Sequence, residues 1–360
     1  MDNSITVLIP AHNEEKIICQ TINSVFNQTR KPNQVIVISD NSSDNTVKFS
    51  YEMKEIYGEK LLIYETVNNK TKKAGALNQV LNNFNLCKFI LVMDADTILD
   101  KNVIKEGMKY MNNEDFVGAV SSMAGILPNT EKTLQSKILH KFQQLEYATF
   151  DAVRVENYND IKVCAGMCTI YRLEALKSAL NFRQAWLDIK GGIYLEDNWA
   201  EDYDLTLILK RKWKVAVNLK MKAWTDVPLT LKELLTQRER WYRGGIDCLR
   251  MHGFNKYTLK DYVGHMLFWF TFIMQIILTS IIVIQLLTYG HLFFDFYMLF
   301  ILGAIYVDSI YRMKYVENIK WYDILFKITL IPDFFIMLLN FYSMIKGYYL
   351  SFTNKKQVWR

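Results

Sequence analysis

The stretch Phe89-Ile90-Leu91-Val92-Met93 constrains this chain most, because an unbroken apolar run stops abruptly on two carboxylates in Asp94-Ala95-Asp96-Thr97. A run of this kind suits a strand covered on both faces, as in a parallel sheet, and the change to Asp94 marks its carboxyl end. Open α/β sheets bind ligands at that end. Carboxylates at i and i+2 followed by a hydroxyl suit Mg2+ or Mn2+, since hard cations take oxygen ligands and substrate phosphates can complete the shell. The same residues also read as a strand ending in an Asp-rich turn. The rest of the chain must decide.

Three strand and helix units precede that run. Residues 5–9 read as a strand closed by Pro10, after which Ala11-His12-Asn13-Glu14-Glu15 opens a helix with apolar positions at Ile17, Ile18, Ile22, Val25 and Phe26. Residues 35–38 form a second strand ending on the polar turn Ser39-Asp40-Asn41-Ser42-Ser43-Asp44. A third strand at 61–64 leads to the basic loop 68–73, and Ala74-Gly75-Ala76-Leu77-Asn78 starts a helix. This alternation predicts an α/β fold with a doubly wound, mostly parallel sheet.

Further on, strands are expected at 116–127 and 163–172 and a helix at 134–153. The second of these strands has a small-residue centre around Gly166, where a backbone can come close to a ligand. Glu196, Asp197, Glu201, Asp202 and Asp204 crowd one short segment, which also suits a helix start favoured by the helix dipole.

The last third is different in character. Residues 228–252 are amphipathic, with Arg238, Arg240, Arg243 and Arg250 opposite Leu234, Trp241, Ile246 and Leu249, a pattern that can lie along a membrane surface. Residues 263–287 carry no Asp, Glu, Lys or Arg and are long enough to span a bilayer. A second candidate at 292–311 contains Asp295 and Asp308, and a third at 324–345 is interrupted by Lys327 and Pro332-Asp333. Arg312, Lys314 and Lys320 follow the second candidate, which places that loop and the amino-terminal part in the cytoplasm by the positive-inside rule. Lys355, Lys356 and Arg360 also favour the inside, so one candidate is expected to be interfacial or re-entrant, the one around Pro332.

The net charge of +6 and pI near 8.8 fit an anionic membrane face and an anionic substrate. Lys and Arg form no single basic tract, which argues against nucleic acid. Five scattered cysteines indicate free thiols in a reducing compartment and no zinc site. The chain passes from Met1-Asp2-Asn3 directly into its first strand, with no signal-peptide pattern.

Five signatures, taken together, carry a resemblance. They are Pro10-Ala11-His12-Asn13-Glu14, the turn Ser39 to Asp44, Lys73-Ala74-Gly75-Ala76-Leu77-Asn78, Asp94-Ala95-Asp96, and Glu201-Asp202 followed by Gln237-Arg238-Glu239-Arg240-Trp241. In their order and spacing the chain resembles inverting family 2 nucleotide-sugar glycosyltransferases of GT-A fold, in the membrane-embedded branch that includes cellulose, chitin, hyaluronan and poly-N-acetylglucosamine synthases. The resemblance implies a donor site of Ala11, His12, Glu14, Asp40, Lys73, Asp94 and Arg240. Asp40 would accept the imide N–H of uracil. Ser39 stands where such enzymes usually carry an acid. Asp96 would hold a Mg or Mn divalent cation, Asp202 would be the general base with Glu201 beside it, and Gln237 and Trp241 would meet the acceptor.

The domain organisation implied is a catalytic domain at 1–225, an amphipathic interfacial helix at 226–260 and two or three membrane spans at 261–360. The partners implied are a UDP-sugar, a saccharide or lipid-linked acceptor and the membrane, with a homo-oligomer where the spans are too few to line a channel. Two enzyme readings stay open. One is a processive synthase of a β-linked polysaccharide, favoured by the Gln-x-x-Arg-Trp motif. The other is a transferase adding one or a few sugars to a lipid-linked or membrane acceptor, favoured by the small number of spans. A catalytically dead scaffold is disfavoured by Asp94, Asp96 and Asp202 together.

Overall fold

The computed structural model describes residues 3–130, 133–293, 296–316 and 319–353. Asp295, Lys355, Lys356 and Arg360, which entered the reading of the spans, lie outside the described residues. The amino-terminal part alternates as its apolar pattern dictates: β1 (Ile5–Ala11), α1 (Ile18–Phe26), β2 (Gln34–Ser39), α2 (Thr46–Tyr57), β3 (Leu61–Glu65), α3 (Lys72–Asn83) and β4 (Phe89–Met93). There follow β5 (Thr97–Leu99), α4 (Val103–Asn113), β6 (Val117–Ile126), α5 (Leu134–Glu156), β7 (Cys168–Arg172), α6 (Leu173–Leu187), α7 (Glu201–Leu209) and β8 (Lys214–Thr225).

The strands form one sheet in the order β3-β2-β1-β4-β7-β6-β8-β5. Its first four strands are parallel; β7 runs antiparallel to β4 and β6, β8 pairs parallel with β6, and β5 closes the edge antiparallel to β8. The unbroken apolar run of β4 has its expected cause. Phe89, Leu91 and Met93 enter a core with α1 and α4, while Ile90 and Val92 enter a second core with α3, α6 and α7. Each face is buried, so truncating Leu91 to Ala is expected to cost about 2–5 kcal/mol.

Two segments differ from expectation. β7 begins at Cys168 rather than at 163, because residues 163–167 curve as a loop that brings Gly166 against Lys73, and an added Cβ there would meet Nζ at 2.5 Å. The small-residue centre thus admits a lysine side chain. β8 was not expected; only its second half alternates, with Met221, Ala223 and Thr225 buried between more exposed neighbours.

Carboxyl-terminal to the sheet lie α8 (Leu231–His252), α9 (Leu259–Tyr289), α10 (Phe296–Arg312), α11 (Trp321–Ile328) and α12 (Ile331–Phe352). Thr230 and Glu233 start α8 with a reciprocal capping box. Three of the arginines expected to face a membrane surface are taken up by protein partners. Arg238 and Arg243 are buried, Arg243 lies over Trp199, and Arg250 donates to the Ser351 carbonyl at 2.5 Å. α12 packs along α8 with Gly347 against the backbone of Tyr242 and Arg243, and Lys346 pairs with Glu239.

Among the described residues one helix, α9, is by itself long and apolar enough to cross a membrane, with 31 residues and a mean hydropathy of 2.4 over an 18-residue stretch. At 1.5 Å per residue it is roughly 46 Å long. α10 has 17 residues. α11 and α12 pass the same test only as a pair, bent by 60°. The bend falls at Leu330, whose φ is +56°, and Pro332 sits in the first turn of α12, where its missing N–H costs nothing. Pro332 therefore opens the second helix of a bent pair, in line with the interruption expected there.

Candidate active site

The carboxyl ends of β1, β2 and β4 bring the polar signatures together. Beyond β1 the Ala11 carbonyl accepts from Asp40 N at 2.8 Å, and His12 Nδ1 donates to the Asp40 carbonyl at 2.6 Å, which ties the two loops. Asp40 is buried, and its Oδ1 accepts from Asn41 Nδ2, Thr66 Oγ1 and Asn69 Nδ2 at 2.8–2.9 Å. Ser39 donates to Ser42 Oγ at 3.1 Å.

Asp94 and Asp96 stand past the end of β4. Lys73, in the first turn of α3, is ion-paired with Asp94 and lies 3.7 Å from Glu201. Burial by itself would lower the Lys73 pKa, but Asp94 and Glu201 outweigh it and hold the ammonium charged. Asp96 Oδ1 accepts from Thr225 Oγ1 at 3.0 Å and from Thr97 Oγ1 at 3.3 Å. Burial, then the charges of Asp94 and Asp226, push its carboxyl well above the usual range. Glu14 is pushed up to about 8 by burial and by Asp96, Asp94, Asp226 and Asp44.

Glu201 and Asp202 form the first turn of α7, where the helix dipole favours carboxylates. Asp202 Oδ1 accepts from Tyr203 N at 2.8 Å. Burial raises the pKa of both acids, and Lys73 opposes the shift. Two residues on, Asp204 is fully buried and serves the interior. Its Oδ2 accepts from Arg183 Nη2 at 2.5 Å and its Oδ1 from His252 Nε2 at 2.8 Å. α8 runs beside this turn. The charge of Arg240 is felt at both Lys72 and Glu201. Gln237 Oε1 accepts from Arg238 Nη1 at 2.7 Å, and Trp241 is 42% exposed.

The structure thus joins Lys73, Asp94, Glu201 and Asp202 in one charged cluster with Asp96 and Glu14 nearby, and sets Arg240 against it. Ala11, His12 and Asp40 lie at the neighbouring strand ends. Sequence reasoning missed Thr225, the last residue of β8, and Asp226 just after it, and it missed Asn78 in its structural role. Asn78 binds Tyr194 N, Tyr194 O and Glu196 Oε1 at 2.8–2.9 Å, holding the segment before α7 on α3. Gly192 passes so close that a Cβ would meet Asn78 Nδ2 at 2.0 Å.

Among the described residues no group of three or more His, Cys, Asp or Glu side chains is placed to hold a metal ion. The donor set still fits a hard cation shared with a ligand, because oxygen groups accumulate around Asp96, whose carboxyl the charges of Asp94 and Asp226 help to raise.

The profile described as Glycosyl transferase family 2 matches residues 6–180. A poly-beta-1,6-N-acetyl-D-glucosamine synthase of Staphylococcus aureus (strain COL) is 27% identical over 262 residues, 72% of this chain and 58% of that protein. The chain therefore spans less than two thirds of the length of that relative. The synthase of the same name from Staphylococcus epidermidis is 23% identical over 350 residues, 89% of this chain and 80% of that protein. A mannosyltransferase from Pyrobaculum calidifontis, solved in complex with GDP-Man and Mn2+, superposes with a TM-score of 0.61 at 14% identity, over 98% of this chain and 87% of that one. With the mixed sheet and its clustered acids, these likenesses identify residues 6–180 as a glycosyl transferase family 2 domain on a fold of GT-A type.

Proposed function

We propose that the protein is an inverting glycosyltransferase that moves a sugar from a UDP-sugar onto a growing β-linked polysaccharide at a membrane. The observation that carries this reading is the Lys73, Asp94, Glu201 and Asp202 cluster, with the Gln237, Arg240 and Trp241 face of α8 beside it. Asp40, His12 and Ala11 bind the uridine, Glu14 flanks the diphosphate end of the site, and Asp94 orients the ribose or donor sugar. Arg240 meets the diphosphate by a planar charge-assisted fork. Lys73 balances the acids while the donor is absent and reaches the diphosphate when it is bound.

Asp202 takes the proton of the acceptor hydroxyl as that oxygen attacks the anomeric carbon. The bond to UDP breaks on the opposite face and the configuration inverts. Glu201, tied to Lys73, holds the base turn. Trp241 stacks on the acceptor sugar and Gln237 bonds its hydroxyls. Asp96 would hold Mg2+ or Mn2+ with substrate phosphates completing the shell, and a cation there supplies charge neutralisation for departing UDP. The relatives' printed name supports N-acetylglucosamine as the sugar.

We further propose the division into a catalytic domain at 1–225, a linking helix region at 226–260 and a membrane region at 261–360, the catalytic domain being cytoplasmic. One span and a bent helix pair make a narrow path for polymer, which favours assembly of copies. The same observation favours a second reading, transfer of one or a few sugars to a lipid-linked acceptor. Product length decides. The purified protein, given each of a panel of UDP-sugars, is expected to make long polymer from UDP-GlcNAc, and to stop when divalent cations are chelated. A single addition to lipid overturns the synthase reading, and transfer unaffected by chelator overturns the role of Asp96.

A further inference from the structure

Of the two variable positions inside Gln237-Arg238-Glu239-Arg240-Trp241, the first holds a side chain with three partners. Arg238 is 1% exposed, yet its guanidinium donates from Nη2 to Glu146 Oε2 of α5 at 2.6 Å and from Nη1 to Gln237 Oε1 at 2.7 Å. Its plane also covers the Trp241 ring at 4.2 Å from the centroid.

Each contact restricts a neighbour. A guanidinium only donates, so Gln237 has to turn its carbonyl oxygen toward it and its NH2 group, with two donors, away. The indole has two faces, and the cation occupies one. Trp241 is nevertheless 42% exposed, which leaves ring surface away from Arg238 for a sugar. Glu146 supplies the counter-charge that lets Arg238 stay buried, and Leu139 of the same helix packs with Leu234 of α8.

We propose that Arg238, anchored by Glu146, is a positioning residue that presets the acceptor subsite: it fixes the donor end of the Gln237 amide and leaves Trp241 one face for the sugar. This inference rests on the reading of Gln237 and Trp241 as acceptor contacts. A saccharide then enters in one orientation, with hydroxyls that accept from Gln237 and a ring face on the outer side of Trp241.

Arg238→Lys keeps the charge opposite Glu146 but has neither the fork nor the plane. The experiment uses the full chain in detergent, UDP-GlcNAc as donor and a short β-1,6-linked N-acetylglucosamine oligosaccharide as primer. The primer KM is expected to rise about tenfold, as loss of one cation–π contact with a hydrogen bond implies, while the KM for UDP-GlcNAc stays within about twofold. Trp241→Phe alone is also expected to raise the primer KM, and the double variant to fall short of the product of the two effects. An unchanged primer KM, an equal rise in both KM values, or full additivity overturns the proposal. Where Arg238→Lys does not fold, Glu146→Gln is measured instead, with the same split expected and the same outcomes overturning it. If the wild-type protein elongates no saccharide primer at all, the acceptor reading itself fails, a result separate from any behaviour of Arg238.

Discussion

Asp202 and Asp204 are two residues apart and chemically alike, yet their surroundings give them different work. Asp202 sits beside Lys73 and Glu201 with its pKa raised by burial, whereas Asp204 is held below the usual range because His252 and Arg183 outweigh burial. A base has to be ionised to act, so a raised pKa predicts that kcat/KM declines on the acid side at a pH above the ordinary aspartate value of 3.8. A pH profile of transfer whose acid limb falls at or below 3.8 contradicts this. Asp202→Asn keeps the shape of the turn and removes the proton acceptor. Transfer is expected to drop on the order of 10²–10⁴-fold with UDP binding intact, and loss of UDP binding in calorimetry instead would assign Asp202 a structural role.

At the scale of elements, α6, α7 and α8 are locked together by the buried group of Arg183, Asp204 and His252, and Arg183 also donates to the carbonyls of Gly192 and Ile193. α7 therefore carries its base turn in a position set by its neighbours. Asp204→Asn leaves Arg183 buried without its counter-charge, and is expected to cost about 3–5 kcal/mol, read from denaturant unfolding. Because the folded pKa of Asp204 is depressed, its contribution is full above the unfolded value of 3.8 and is lost as pH falls through the folded one. An Asp204→Asn variant as stable as wild type at neutral pH would remove Asp204 from this role. The strand and helix alternation of β1 to β4 was legible because β-branched and aliphatic runs bounded by Pro, Asn and Asp have local causes. The start of β7 was not, because Val163 to Met167 is apolar enough for a strand, and it is distant contacts, Cys164 N to Thr206 Oγ1 and Lys73 beside Gly166, that hold it as a loop.

Over the whole molecule, α8 links the sheet to the apolar helices. It lies between α7 and α12, and Tyr203 of α7 donates to Asp261 at the start of α9 at 2.7 Å. Burying α9 in a bilayer removes its exposed face, including Met266 at 70% and Leu287 at 82% exposure, from water. The protein is expected to stay with membranes through an alkaline carbonate wash and to leave only with detergent, and release by carbonate would exclude a span.

Sequence alone determined the parallel half of the sheet, the acid pair past β4 and the apolar length of α9, because each arises from neighbours along the chain: burial on alternate faces, a change of polarity at a strand end, and the rise of a helix. Tertiary structure decided what each charge does. Lys73 meets Asp94 21 residues on and Glu201 more than a hundred residues on, Asp204 turns inward to Arg183 and His252, and Arg238 meets Glu146 rather than a lipid surface. A buried charge has to find its partner wherever the packing supplies one, and that choice is made between elements, where local pattern carries no information.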